Sequence, residues 1–400
     1  MNTANSQNFH HWKRKSALFL ISQNISIFGS SIVSYSIIFY IALETSSGVW
    51  MTMATICSMI PQMLVSLWGG VFADRHNRKW IIMLSDGGIA MATLALALLY
   101  FAGQKSMVLL LAVSAIRSLG SGLQNPAVNA LYPQIVPSDQ LARINGIGQT
   151  MNSVLVLLAP AVGGMLLARV GIAWAFLLDV GTATLAIGVL ALLRVPPRRQ
   201  TTARTSVLRE LQTGVRFTLH HKLLRSVMLG IGISFFLMTP AACLTPIMVG
   251  RSFGPEVWKL TASETFWTLG SIVGGIVLAL HGDFEDKIRT AALSLAGFGV
   301  TFGLLGLCKN FWVYLAIMGI SGIFTPIIST AMMVLIQTHV EEAMMGRVFS
   351  ILQIVMSGAM PLGMLLFGPL ADLVSIEWIL VVTGVLLVLC GAVFARVKDE

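Results

Sequence analysis

Long apolar runs recur along this chain, separated by short polar stretches in which lysine and arginine concentrate. There are twelve such runs, at roughly 17–43, 50–72, 80–101, 106–131, 146–168, 172–193, 226–250, 261–280, 290–308, 311–336, 348–371 and 376–395. Each is close to the roughly twenty residues a helix needs to cross a bilayer. Of the 400 residues, 56% are hydrophobic and only 11% are charged, against about 25% charged in a soluble domain. Mean hydropathy is +0.82. The pattern predicts an all-α polytopic membrane protein of twelve transmembrane helices. An even number of spans puts both termini on one side.

Charge chooses that side. Lys105, Arg169, Arg251, Lys259 and Lys309 fall on the far side, and Arg117 lies inside a span. Every other lysine and arginine of the 26 falls on the side of the termini. Basic loops stay in the cytoplasm, so both termini are expected there. The net charge of +9 is therefore a topology signal and gives no reason to expect a nucleic-acid partner. Cys57, Cys243, Cys308 and Cys390 are scattered through apolar runs without metal or redox spacing and read as reduced packing residues. No phosphate-binding loop, metal cluster or nucleophile elbow is present. No enzyme activity, cofactor or metal is expected.

The stretch between the second and third runs is the most informative. It reads Gly69-Gly70-Val71-Phe72-Ala73-Asp74-Arg75-His76-Asn77-Arg78-Lys79. Paired glycines at the end of a membrane helix let a neighbour press close. Asp74 can accept hydrogen bonds from a helix N-terminus or pair with Arg75 or Arg78. A second organising feature is the loop 194–225, which divides the chain six spans from either end. The expected domains are therefore 1–193, a basic cytoplasmic linker 194–225, and 226–400. Within the linker Leu208, Leu211, Val215 and Leu219 recur at helical spacing, with Arg209, Gln212 and Arg216 on another face. An amphipathic helix on the inner leaflet and a plain basic linker both fit.

The halves echo each other at an offset near 200. Ile172-Ala173-Trp174 recurs as Ile376-Glu377-Trp378, Pro126 as Pro326, Arg143 as Arg347, Gly164-Met165-Leu166-Leu167 as Gly363-Met364-Leu365-Leu366, and Gly69-Gly70 as Gly274-Gly275. These echoes predict a duplicated six-helix unit, the plan by which many transporters place a substrate site at the midplane.

Ionisable residues inside spans are costly and mark function by default. Arg117 lies about eleven residues from the outer end of its span and Asp179 about seven. At 1.5 Å per residue their depths differ by about 6 Å, within reach of an arginine side chain. Asp86, nearer the cytoplasmic end, reads as a snorkelling or capping carboxylate. Glu264 starts the eighth span near the outer mouth. Arg117, Asp179 and Glu264 are the candidates for proton coupling, with a purely structural role open for each. Gln23, Asn24, Asn152, Met238, Gln353 and Met356 are candidate linings of a central cavity, where methionine suits varied amphipathic ligands.

Gly69 to Lys79 resembles the loop motif of the major facilitator superfamily. Arg117-Ser118-Leu119-Gly120 resembles its second motif, associated with drug/proton exchange. Gly146, Pro160, Gly163 and Gly164 match its antiporter motif, in which Leu155 and Ala159 replace glycines. Asn125-Pro126-Ala127, Val136-Pro137-Ser138-Asp139 and Gly346-Arg347-Val348-Phe349-Ser350 extend the resemblance to bacterial drug exporters of the macrolide-efflux type, a group that includes enterobactin-type siderophore exporters. The resemblance implies two six-helix halves around a central cavity. It implies a monomer in the bacterial cytoplasmic membrane that exports an amphipathic small molecule in exchange for protons. It also implies a cytoplasmic latch formed by Gly69, Gly70, Asp74, Arg75 and Arg78 with the Arg347 loop. Export of a siderophore or lysophospholipid, uncoupled uniport, and a non-transporting scaffold are the rival readings.

Overall fold

The computed structural model describes residues 11–195, 207–281, 286–340 and 342–396, and every regular element among them is helical. Among the described residues twelve helical stretches are long and apolar enough to cross a membrane, Leu224–Phe253 counting as one. The chain forms two compact units. One comprises residues 1–40 and 56–203, the other residues 41–55 and 204–400.

The first unit holds most of α1 (Trp12–Thr45) and α2 (Gly48–Arg75), then α3 (Arg78–Phe101), α4 (Met107–Ile135), α5 (Leu141–Arg169) and α6 (Ile172–Ala191). Here α3 packs on α4 and α6. The second unit takes in the tip where α1 turns into α2. It continues with α7 (Val207–His220), α8 (Lys222–Thr239), α9 (Thr245–Phe253), α10 (Val257–His281), α11 (Lys287–Leu307), α12 (Phe311–His339), α13 (Glu342–Leu373) and α14 (Ile376–Phe394). Its strongest packings are α11 on α14 and α10 on α12. Where the sequence left helix and linker open, Val207–His220 form α7, which lies on α8 and α13.

The duplication is visible in the packing. A β-carbon on Gly69 of α2 would lie 2.7 Å from the Gly122 carbonyl of α4, and one on Gly274 of α10 would collide with the Ile323 carbonyl of α12. Gly70 and Gly275 have nothing within 4 Å. In each pair, then, the first glycine permits the close helix approach and the second faces open space.

Two departures from regular helix have local causes. Pro61 interrupts the ladder of α2, and Ser118 of α4 enters the gap. Its Oγ donates to the Ser58 carbonyl at 2.7 Å and accepts from the Gln62 amide at 2.9 Å. The seventh run is read from sequence as one helix. Instead α8 and α9 are joined by a π-helical turn, Pro240–Leu244. Pro240 and Pro246 each lack an amide donor. Thr239 and Thr245 beside them donate to the carbonyls of Phe235 at 3.0 Å and Ala241 at 2.5 Å. Such turns often occur at functional sites.

Candidate functional site

Asp86, Arg117 and Asp179 are buried between the helices of the first unit. Asp179 on α6 is 1% exposed and forms an ion pair with the Arg117 guanidinium of α4. Arg117 Nη1 also donates to Thr93 Oγ1 of α3 at 2.6 Å. Ser30 on α1 approaches the same carboxylate at 3.4 Å. The pair therefore ties four helices together. Gly29 makes room for it, because a β-carbon there would lie 3.0 Å from Asp179 Oδ1 and collide with Thr182.

Asp86 on α3 departs from the snorkelling or capping role expected of it. It is only 2% exposed. Its Oδ1 accepts from Ser26 Oγ at 2.7 Å and from Gln124 Nε2 at 2.9 Å, while Oδ2 has no hydrogen-bond partner. Among the described residues no cation pairs with it. Burying a carboxylate without a counter-charge is costly, and a proton removes that cost. Gln23, one helical turn from Ser26, is also buried, with its Nε2 unpartnered.

The basic loop binds carbonyls as well as marking a side. Arg78, 6% exposed, donates to the carbonyls of Ala73 at 3.2 Å and Ala130 at 2.6 Å. Lys79 Nζ donates to those of Ala191 at 2.8 Å and Leu193 at 2.9 Å. These cations thus sit on the C-terminal ends of α2, α4 and α6, where the helix dipole favours positive charge. Arg75 is exposed, and the side chain of Asp74 lies outside the described residues. Arg347 donates to Met344 Sδ at 3.1 Å within its own helix.

In α5, Pro160, Gly163 and Gly164 are buried and Gly146 has open space around it. Ser36 of α1 donates to the Gly163 carbonyl at 3.3 Å. Ala159, where the motif has glycine, is fully buried in a cluster with Ile32 and Ala175, so a methyl is accommodated there. Of the other cavity candidates, Asn24 donates back to the Leu20 carbonyl of its own helix at 2.7 Å. Asn152, Met238 and Met356 are half-buried, and Gln353 is exposed.

In the second unit Glu264 is half-buried on α10, within electrostatic range of Cys243 in the π-helical turn and of Tyr314 on α12. Among the described residues its carboxylate has no ion-pair partner. The turn leading into α10 is held separately. There Lys259 pairs with Glu256 at 2.6 Å, and the ammonium holds this carboxyl below its ordinary range.

The tip of the first hairpin is fastened by an acid that sequence reading passed over. Asp372 on α13 accepts from the Gly48 and Val49 amides at 2.7 and 3.0 Å and from Ser47 Oγ at 2.7 Å. It thereby caps the N-terminus of α2. Arg251 pairs with Asp372 at 3.2 Å and also donates to the carbonyls of Ala371 and Ser46. Removing a cap costs about 1 kcal/mol. Asp372→Ala is therefore expected to speed hydrogen exchange of the Gly48 and Val49 amides by about fivefold. Unchanged protection at both amides would show that the cap contributes nothing.

This geometry has known counterparts. The chain matches the transmembrane secretion effector family over residues 14–399 and belongs to it. It is a multi-pass transporter of the major facilitator type. Macrolide efflux protein A of Streptococcus pyogenes is 27% identical over 98% of each chain. The enterobactin exporter EntS of an Escherichia coli strain is 26% identical over 70% of this chain and 67% of its own. Among solved structures, a bacterial homologue of the iron transporter ferroportin in its inward-facing state aligns with a TM-score of 0.71 at 15% identity, covering 96% of this chain and 99% of its own. A peptide-bound transporter of the POT family aligns at 0.74 with 12% identity, covering 95% of both chains. At these identities the structures establish the shared fold alone.

Proposed function

We propose that this protein exports an amphipathic, macrolide-like small molecule from the bacterial cytoplasm by alternating access, in exchange for protons. The full-length similarity to a macrolide efflux protein supports the direction and the substrate class. The coupling rests on one observation. The intramembrane carboxylates divide into one held by a cation, Asp179, and two without a cation partner among the described residues, Asp86 and Glu264.

A coupling group must bind its proton more tightly in one access state than in the other, since a ligand shifts such an equilibrium only by its differential affinity. A proton entering Asp179 has to displace the Arg117 guanidinium. One entering Glu264 displaces no cation. Glu264 is therefore assigned the proton exchange and Arg117–Asp179 the fixed charge that holds α1, α3, α4 and α6 in register. Asp86, whose carboxylate also lacks a cation among the described residues, is the alternative carrier. The Asp74 loop and Arg347 are assigned the cytoplasmic latch, with Arg78 and Lys79 as its anchors in the first unit.

The reading is tested in cells expressing the protein. They are expected to hold less radiolabelled macrolide than control cells, and a protonophore is expected to abolish the difference. Equal macrolide content with and without expression would sink the substrate assignment. The similarity to an enterobactin exporter keeps one other reading in view, export of a catecholate siderophore. The same assay with labelled siderophore separates the two.

A further inference from the structure

On the basic side of the second unit, α7 lies over α8 and α13 and leaves a crevice of about 330 Å³. Its walls are apolar, with Leu219, Met228, Ile233 and Val355 among them. Two polar residues share the lining, Thr218 and Arg225. Leu219 and Ile233 are each about half exposed, so the crevice opens sideways along the helices. Gly232 keeps it wide, since a β-carbon there would stand 3.2 Å from Val355.

Charge identifies the occupant. Arg225 is exposed, and among the described residues no carboxylate pairs with it. Arg216, also exposed, precedes it on α7. An apolar slot open to the side, with an exposed arginine in its lining, fits a molecule with an alkyl chain and an anionic head. Charge complementarity selects the anionic member of the surrounding lipids over the zwitterionic one.

We propose that this crevice is a binding site for one anionic phospholipid of the cytoplasmic leaflet. Its acyl chain lies between α7, α8 and α13, and its phosphate meets Arg225 at the mouth. The proposal stands apart from the export reading, because it needs no transported substrate and lies wholly within the second unit. Its consequence is that bound lipid adds to the packing of α7 on α8 and α13.

The test uses the purified full chain in detergent, titrated with dioleoylphosphatidylglycerol and, in parallel, with dioleoylphosphatidylcholine. Bound lipid is counted by native mass spectrometry. Phosphatidylglycerol is expected to bind saturably at one site and more tightly than phosphatidylcholine. Arg225→Gln is expected to lower its affinity about fivefold and leave phosphatidylcholine unchanged, as loss of one cation near an anionic head implies. Gly232→Leu fills the slot and is expected to abolish saturable binding of both lipids. Val215→Trp, at the exposed rim, is expected to weaken both without touching the packed core. Equal affinity for the two lipids, or phosphatidylglycerol binding that survives both slot variants, would overturn the proposal. Displacement of the lipid by a macrolide would also overturn it, by making the crevice a substrate site.

Discussion

Asp179→Asn is expected to abolish transport and to lower the protein's melting midpoint in detergent markedly. Asp179 and Arg117 form a buried ion pair with little water around them. Removing one partner of such a pair leaves the other charged and uncompensated, at a cost of about 3–5 kcal/mol. Loss of transport alone would not separate a structural role from a functional one, so a second variant is needed. The double replacement Arg117→Met with Asp179→Leu removes both charges and keeps roughly the same volume. Such replacements are often neutral or stabilising. The double variant is therefore expected to recover the melting midpoint. If transport returns with it, the pair serves only to hold the helices together, as assigned here. If the fold recovers and transport stays absent, the pair takes part in coupling and the assignment to Glu264 fails.

The second large effect concerns Glu264. Glutamine has the same shape and cannot exchange a proton. Because the carboxylate has no ion-pair partner among the described residues, Glu264→Gln strands no buried cation. The variant is expected to fold as the wild type does and to exchange labelled for unlabelled substrate across a vesicle membrane. It is expected to lose gradient-driven accumulation. One pH unit corresponds to about 1.4 kcal/mol per proton, a factor of ten in concentration. With one proton per substrate and a gradient of two units, the wild type is expected to reach about a hundredfold accumulation. The variant is expected to fall to the ratio set by vesicles without protein. Accumulation equal to wild type would move the coupling to Asp86.

Much of this organisation was legible in the chain. The twelve spans were readable because a bilayer demands runs of nearly fixed length. The duplication was readable because equal helix crossings need small residues at equivalent places, as Gly69 and Gly274 now illustrate. That Arg117 and Asp179 lie at compatible depths was readable, since a membrane converts distance from the end of a span into height; their contact came from the structure. Lateral neighbours were not readable. By its distance from the helix end Asp86 reads as a snorkelling or capping carboxylate. Its burial depends on Ser26 and Gln124, which sit on other helices at positions no local pattern marks. Asp372 escaped notice for the same reason, since it caps amides more than 300 residues away. Arg78 and Lys79 were legible as markers of sidedness, but the carbonyls they bind become visible only when the helices are assembled.

The most direct test of the central claim is accumulation of a radiolabelled macrolide in proteoliposomes, with the protein's cytoplasmic face outward and the lumen two pH units more acidic than the medium. An amine-bearing macrolide gathers in an acid lumen by itself, so protein-free vesicles and Glu264→Gln vesicles set the baseline. Accumulation is expected well above both, approaching a hundredfold beyond equilibration at one proton per substrate, with collapse of the excess when a protonophore removes the gradient. Entry that only speeds the approach to the protein-free level would contradict it and leave a uniporter.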